Sequence, residues 1–102
     1  MSVRPKAPTK AADWTVCREF RQIPNIGPAI CADFALLGLK APLDLRGNDP
    51  FALYRRLCAI SGQRHDPCVL DTLMAAVDFM NGAAPRPWWD YTAARKRQFP
   101  DI

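Results

Sequence analysis

Residues 23–28, with the sequence Ile-Pro-Asn-Ile-Gly-Pro, constrain the fold of this chain more than any other segment. Two prolines remove backbone donors and Gly27 permits a positive φ, so neither a helix nor a strand can run through the segment. Pro24 ends the preceding element, and Pro28 suits the first position of a new helix. The segment therefore predicts a tight hairpin between two helices.

Apolar residues recur at helical spacing on both sides of this hairpin. Before it, Asp13 caps a first predicted helix, and after it a second helix begins at Pro28 and ends at Gly38. A short helical connector is expected at residues 42–46, before Gly47. The residues of the first helix that we expect to face inward are Trp14, Cys17, Phe20 and Ile23.

Two further helices are predicted by a repeated capping device. An aspartate directly before a proline occurs at Asp49-Pro50 and again at Asp66-Pro67, and about a dozen amphipathic residues follow each pair. These helices are expected to end near Gly62 and Gly82. No strand-like alternation competes. The chain is therefore predicted to be all-α, a compact five-helix bundle in which the hairpin lies between the first two helices.

The predicted domain occupies residues 12–92 of the 102. Residues 1–11 form an expected flexible basic arm, and residues 93–102 an expected basic C-terminal tail whose Arg95-Lys96-Arg97 run is a solvated face. At least one of Trp88 and Trp89 should fold back onto the bundle. Since no apolar run is long enough to cross a bilayer or resembles a secretory signal, we expect a cytoplasmic protein without a membrane partner.

The net charge of +4 permits binding to a polyanion without demanding it. Its distribution is uneven, because ten basic residues face five acidic ones through Arg64, whereas acids exceed bases by one after it. The four cysteines contain no Cys-x-x-Cys pair, so reduced thiols are expected. The sequence indicates no particular oligomeric state.

The hairpin resembles the helix-hairpin-helix motif of DNA repair and recombination proteins. In that motif, amides at the start of the second helix bind a DNA phosphate, where free N–H groups and the helix dipole favour an anion. Ile23 and Ile26 would be its buried hydrophobes, whereas Asn25 and Ala29 replace a customary glycine and a frequent base. The linker at residues 61–67 is a candidate degenerate second hairpin, as in a tandem, SAM-domain-like architecture. The candidate DNA-backbone contacts are Arg21, Asn25, Ile26, Gly27, Ala29, Lys40 and Arg64.

A longer resemblance covers roughly residues 12–92. The chain is similar to the bacterial pathogenicity-locus family, whose members are often labelled mitomycin resistance or helix-hairpin-helix domain proteins. This resemblance implies a small DNA-associated or damage-resistance protein of undefined biochemical activity. The segments that carry it are residues 23–39, Asp44-Leu45-Arg46-Gly47, Asp49-Pro50, Leu53-Tyr54, Leu57-Cys58, Gly62, Asp66-Pro67-Cys68-Val69-Leu70-Asp71 and Trp88-Trp89.

No enzyme motif stands out, since the chain has no Walker-type loop, paired carboxylates or Gly-x-Ser-x-Gly elbow. We expect no cofactor and no metal, because Cys58, His65 and Cys68 would need a fourth ligand, from Cys31 or Asp66, brought by the fold. The leading hypothesis is therefore non-enzymatic, non-sequence-specific DNA binding. Two alternatives stay open: a protein-interaction module that uses Trp88-Trp89, and thiol chemistry at Cys68, which requires a depressed pKa.

Overall fold

A computed structural model describes residues 9–102 of the protein, and this part consists of helices and loops without a strand. The all-α prediction is therefore confirmed. The α-helices are α1 (Pro28–Leu36), α2 (Pro50–Ser61), α3 (Pro67–Met80) and α4 (Thr92–Gln98). Short 3₁₀ turns occupy Trp14–Val16, Phe20–Gln22, Pro42–Leu45 and Trp88–Tyr91.

Helix α3 is the centre of the core. Ten of its 14 residues are buried, so this helix is covered on nearly every face. Helix α2 packs against it through Leu53 and Leu57, and the hairpin and α1 add Ile23, Ile26 and Phe34 to the same cluster. The hairpin is thus anchored in the core.

The predicted caps of α2 and α3 are confirmed. The carboxylate of Asp49 accepts a hydrogen bond from the Phe51 amide, and that of Asp66 accepts one from the Cys68 amide. Gly62, which follows α2, has a φ of +68°, the left-handed conformation that ends helices at low cost for glycine.

The prediction of a first α-helix between Asp13 and the hairpin is wrong. The segment folds into two 3₁₀ turns, and the backbone is extended at Cys17 between them. The side chain of Gln22 accepts hydrogen bonds from the amides of Arg18 and Glu19 at 2.6 and 2.9 Å, which a continuous helix would use internally. Of the four residues expected to face inward, Cys17 and Ile23 are nevertheless buried, and Trp14 and Phe20 are half-buried.

The prediction of a fully solvated basic tail is also wrong at Arg95. Residues Thr92–Gln98 form α4, and the Arg95 guanidinium lies 2.9 Å from the buried carboxylate of Asp71 on α3. Lys96 and Arg97 are exposed, as expected. The first predicted helix is absent and α4 was not predicted. The described residues therefore form four α-helices joined by 3₁₀ turns, and not the predicted five-helix bundle.

The N-terminal end of the predicted domain is more ordered than expected, whereas at the other end one tryptophan is partly covered, as predicted. Most of the predicted arm, residues 1–8, lies outside the described residues, but Ala11 is buried and its amide donates to the Gln22 carbonyl at 2.8 Å. At the other end Trp88 is half-buried, whereas Trp89 is 61% exposed. Among the described residues, no helix combines the length and apolarity needed to cross a membrane.

Candidate nucleic-acid interface

The hairpin is a four-residue turn followed directly by α1. The Ile26 amide donates to the Ile23 carbonyl at 3.2 Å, which closes the turn with Pro24 and Asn25 at its centre. Asn25 has a φ of +73°, so it takes the left-handed position that a glycine commonly fills in such turns. Ile23 and Ile26 are fully buried, as predicted.

Gly27 differs from its predicted role. Its φ of −114° is an extended conformation that any residue adopts, because Asn25 supplies the positive φ of the turn. Gly27 is the residue before the first turn of α1, and open space lies where its side chain would project. The described part of the fold therefore leaves room for a side chain at this position.

The start of α1 has unused hydrogen-bond donors. Within residues 9–102, the N–H groups of Gly27, Ala29 and Ile30 donate to no acceptor, and Pro28 has no N–H. The starts of α2 and α3 are different, because at each of them an aspartate carboxylate accepts a hydrogen bond from a backbone amide. Of these three helices, only α1 presents an uncapped start to an anion.

The side chain of Asn25 ties the hairpin to the segment before the last 3₁₀ turn. Its Nδ2 donates to the Arg86 carbonyl at 2.8 Å, and its Oδ1 accepts from the Trp88 amide at 3.3 Å. The predicted DNA contact at Asn25 therefore involves a side chain that is already bonded within the fold. This clamp also brings Arg86 and the tryptophan pair next to the hairpin.

Replacing Asn25 with glycine should destabilise the protein. A glycine at this position would keep the positive φ of the turn but lose both bonds of the clamp, so we expect the free energy of unfolding to fall by about 1–2 kcal/mol. Guanidinium unfolding followed by tryptophan fluorescence measures this. Asn25→Asp is the matched variant, because it can still accept from Trp88 but cannot donate to Arg86. An unchanged free energy of unfolding for Asn25→Gly would show that the clamp contributes nothing.

Lys10 lies beside the hairpin and was not predicted as a site residue. Its ammonium donates to the carbonyls of Arg21 at 2.7 Å, Ile23 at 3.0 Å and Ile26 at 2.7 Å. Burial lowers the pKa of Lys10, and the positive charge of Arg21 acts in the same direction. The ammonium of Lys10, from the predicted flexible arm, thus contacts the turn, and the charge of Arg21 is close enough to act on it.

The other predicted basic contacts lie elsewhere. Lys40 follows the C-terminal end of α1, and nine residues of helix rise about 14 Å along the axis. Arg64 lines a cavity together with Tyr54 and Cys58, and no residue of the hairpin lines that cavity. The structure therefore brings Arg21, but neither Lys40 nor Arg64, to the hairpin.

The candidate second hairpin, residues 61–67, is a closed loop between α2 and α3. The hydroxyl of Tyr54 donates to the His65 carbonyl, and the His65 amide donates to the Cys58 sulfur at 3.4 Å. The Ser61 hydroxyl lies 2.8 Å from His65 Nε2. The Asp66 cap then places a negative charge at the start of α3, which disfavours a phosphate there.

Cys68 lies in the first turn of α3, where a reactive thiol was one hypothesis. Burial raises the pKa of Cys68, and the hydrogen bond and charge of Asp66 raise it further, with a smaller effect from Asp71. A raised pKa reduces the thiolate fraction at neutral pH. The depressed pKa that thiol chemistry requires is therefore absent.

Asp66→Asn should accelerate alkylation of Cys68. Asparagine retains the helix cap, but loss of the negative charge lowers the thiol pKa and increases the thiolate fraction, so we expect roughly a threefold faster reaction. Iodoacetamide labelling at pH 8, followed by peptide mass spectrometry, measures the rate at Cys68. Cys17, which is buried in another part of the core, is the internal control. A slower or unchanged rate at Cys68 would contradict this assignment.

No group of three or more histidine, cysteine or acidic side chains within residues 9–102 is arranged to hold a metal ion. All four cysteines are free thiols. The residues that adjoin the hairpin and were not predicted from the sequence are Lys10, Ile30 and Arg86. Of these, the free amide of Ile30 follows from the rule that the first turn of a helix has unpaired donors.

Comparison with known proteins agrees with the resemblance found in the sequence. Residues 13–97 match the Cdd1 family, which is described as "Pathogenicity locus". The chain is also 48% identical over 73 residues to a protein from Streptomyces lavendulae named mitomycin resistance protein McrB, and the alignment covers 72% of this chain and 70% of that protein. No solved structure matches the chain. The chain therefore belongs to the pathogenicity-locus family.

Proposed function

We propose that this protein is a non-enzymatic DNA-binding module in which the start of α1 binds a phosphate of the DNA backbone. The observation that carries the proposal is the uncapped start of α1, where the amides of Gly27, Ala29 and Ile30 have no acceptor among the described residues. A phosphate oxygen satisfies such donors and is favoured by the helix dipole. In this proposal, the hairpin is a helix-hairpin-helix element whose first limb is made of 3₁₀ turns.

The charges around the hairpin support an anionic ligand. Ala29 supplies no charge, but the Lys10 ammonium contacts the turn and the charge of Arg21 lies close to Lys10. The Asn25 clamp holds the backbone of Arg86 against the turn. Part of the Arg86 charge is balanced by Asp90, 3.5 Å away. Contacts of this kind reach only the sugar-phosphate backbone, so they position the protein without reading sequence.

The relative from Streptomyces lavendulae suggests a cellular role for this DNA binding. That protein is called a mitomycin resistance protein. We infer a similar role in resistance to DNA damage for this chain, in the cytoplasm, with DNA as the partner that the hairpin contacts. The proposal assigns it no catalytic step, cofactor or metal.

Fluorescence anisotropy with labelled DNA tests the proposal. Two duplexes of equal length and unrelated sequence should bind with equal affinity, and log K should fall linearly with log salt with a slope of about −0.9 for each phosphate contacted. A few such contacts would give an easily measured decline between about 50 and 200 mM salt. Absence of binding at the low-salt end, or affinity that is insensitive to salt, would contradict the proposal.

A protein-interaction module is the second candidate, because Trp89 exposes 61% of its surface next to the half-buried Trp88. Exposed tryptophans are frequent anchors of protein interfaces. Survival of a mitomycin-treated strain that carries Trp89→Ala or Gly27→Asp distinguishes the candidates. Loss of survival only with Gly27→Asp supports DNA binding, whereas loss only with Trp89→Ala supports a protein partner.

A further inference from the structure

Trp89 is an exposed aromatic side chain beside the hairpin. It is the only aromatic residue among the large hydrophobic residues that are exposed in the described part of the chain, and 61% of its surface is open. The ring of Trp88 meets it edge to face, with centroids 5.7 Å apart and an angle of 84° between the planes. Because a perpendicular neighbour covers at most one face of an indole ring, Trp88 leaves a face of Trp89 free.

The short 3₁₀ turn that contains Trp89 is held at both ends. At one end the Trp88 amide donates to Asn25 Oδ1 at 3.3 Å. At the other end Tyr91 is buried in the core. The backbone at Trp89 is therefore fixed before any ligand arrives, so little conformational entropy is lost when its ring contacts one.

The Asn25 clamp brings Trp89 close to the start of α1. Asn25 is bonded to the Trp88 amide, and the free amides of Gly27 and Ala29 follow it by two and four residues. Each residue advances the chain by at most about 3.8 Å, so the donors and the Trp89 backbone both lie within a few residues of the clamp. One short segment of a DNA strand can therefore contact both.

The charges near Trp89 are compatible with a nucleic-acid strand. The charged residues nearest to it in the chain are Arg86 and Asp90, and their side chains lie 3.5 Å apart, so together they add no net negative charge that would repel a phosphate. The Lys10 ammonium, which contacts the Ile26 carbonyl, adds positive charge at the turn. The core of a protein interface is depleted of charged residues, whereas an aromatic face beside positive groups is typical of proteins that stack on bases.

We propose that Trp89 stacks on an unpaired base of a DNA strand whose phosphate is bound at the start of α1. This inference rests on the proposed DNA binding and names its preferred substrate, which is DNA that contains an unpaired base. In an intact duplex each base is paired and stacked on its neighbours, so exposing its face to Trp89 costs free energy. Every base has such a face, so the contact adds a preference for DNA structure without reading sequence.

Anisotropy with two matched DNAs tests this proposal. One is an intact duplex, and the other is the same duplex with one unpaired thymine inserted at its centre. The wild-type protein should bind the bulged DNA at least about fivefold more tightly than the intact duplex. Trp89→Ala should remove this preference and bind the intact duplex within about twofold of the wild type. Trp89→Phe retains an aromatic face and should keep part of the preference, whereas Trp89→Leu is apolar without such a face and should lose it.

The outcomes distinguish this inference from the phosphate site. If Trp89→Ala changes the affinity for neither DNA, or weakens both equally, Trp89 does not stack on an unpaired base, although the phosphate site at α1 stands. Absence of binding to either DNA at low salt would refute both proposals. If Trp89→Ala lowers the survival of a mitomycin-treated strain but leaves binding to the bulged DNA unchanged, Trp89 contacts a protein partner and the inference is wrong.

NMR spectra of the wild-type protein give a second measurement that does not depend on affinities. The indole N–H signal of Trp89, assigned by its absence from the spectrum of Trp89→Phe, should shift when the bulged DNA is added and should move little with the intact duplex. The indole signal of Trp14 is the internal control, because that ring lies 3.7 Å from the guanidinium carbon of Arg46 in another part of the fold. An unchanged Trp89 indole signal in the presence of saturating bulged DNA would overturn the proposal.

Discussion

Gly27→Asp should weaken DNA binding strongly and leave the protein at least as stable as the wild type. Position 27 is the N-cap of α1, its backbone is extended, and open space surrounds the new side chain. Aspartate is among the best N-cap residues, so its carboxylate should accept from the free amides and hold or raise the free energy of unfolding. The same carboxylate repels a phosphate, and we expect affinity for duplex DNA to fall by more than about tenfold.

Two matched variants distinguish the effect of the negative charge at position 27 from the effect of a side chain that accepts hydrogen bonds from the free amides. Gly27→Ala leaves the amides free and should bind DNA within about threefold of the wild type, at a cost of up to about 1 kcal/mol in stability. Gly27→Ser caps the amides without a charge and should bind with intermediate affinity. Anisotropy at low salt gives the affinities, and urea unfolding gives the stabilities. If Gly27→Asp binds DNA as the wild type does, the start of α1 is not the phosphate site.

Arg95→Met should cause the largest loss of stability of the variants considered. The Arg95 guanidinium is bonded to the carboxylate of Asp71, which is 0% exposed and also accepts from the Thr92 hydroxyl at 2.8 Å. Removing one partner of a buried ion pair leaves an uncompensated buried charge and typically costs about 3–5 kcal/mol. The free energy of unfolding of a small domain is about 5–15 kcal/mol in total, so we expect a measurable fraction of Arg95→Met molecules to be unfolded at physiological temperature.

Controls for this prediction come from the same helices. Arg97→Met removes an exposed charge from α4 and should change the free energy of unfolding by less than about 0.5 kcal/mol. The double variant Asp71→Leu with Arg95→Met removes both charges and should recover most of the loss. Guanidinium unfolding of the wild type and these variants provides the comparison. A loss below about 1 kcal/mol for Arg95→Met would show that the ion pair does not hold α4 to α3.

The parts of the fold that local chemistry determines were predictable from the sequence. The Asp-Pro pairs at 49–50 and 66–67 specify the starts of α2 and α3. The positive φ of the turn was expected at Gly27 and is found at Asn25, which tolerates it. The prediction of a helix before the hairpin was wrong. Apolar spacing cannot reveal that the Gln22 side chain accepts hydrogen bonds from the amides of Arg18 and Glu19.

Features that depend on residues distant in sequence were not predictable. Arg95 lies in a run of basic residues, and only Asp71, 24 residues earlier, explains its burial. The Asn25 clamp joins positions 61 and 63 residues apart. The contact of Lys10 with three carbonyls depends on how the folded turn orients its backbone, which local sequence patterns do not reveal.

An NMR titration of the ¹⁵N-labelled protein with a short duplex tests the phosphate site most directly. We expect the amide signals of Gly27, Ala29 and Ile30 to move most as DNA is added, and the shifts to diminish as salt is raised from about 50 to 200 mM. Amides at the aspartate-capped starts of α2 and α3 should move little. If the largest shifts fall at Trp88 and Trp89, or at the start of α3, the claim that the α1 start binds phosphate is contradicted.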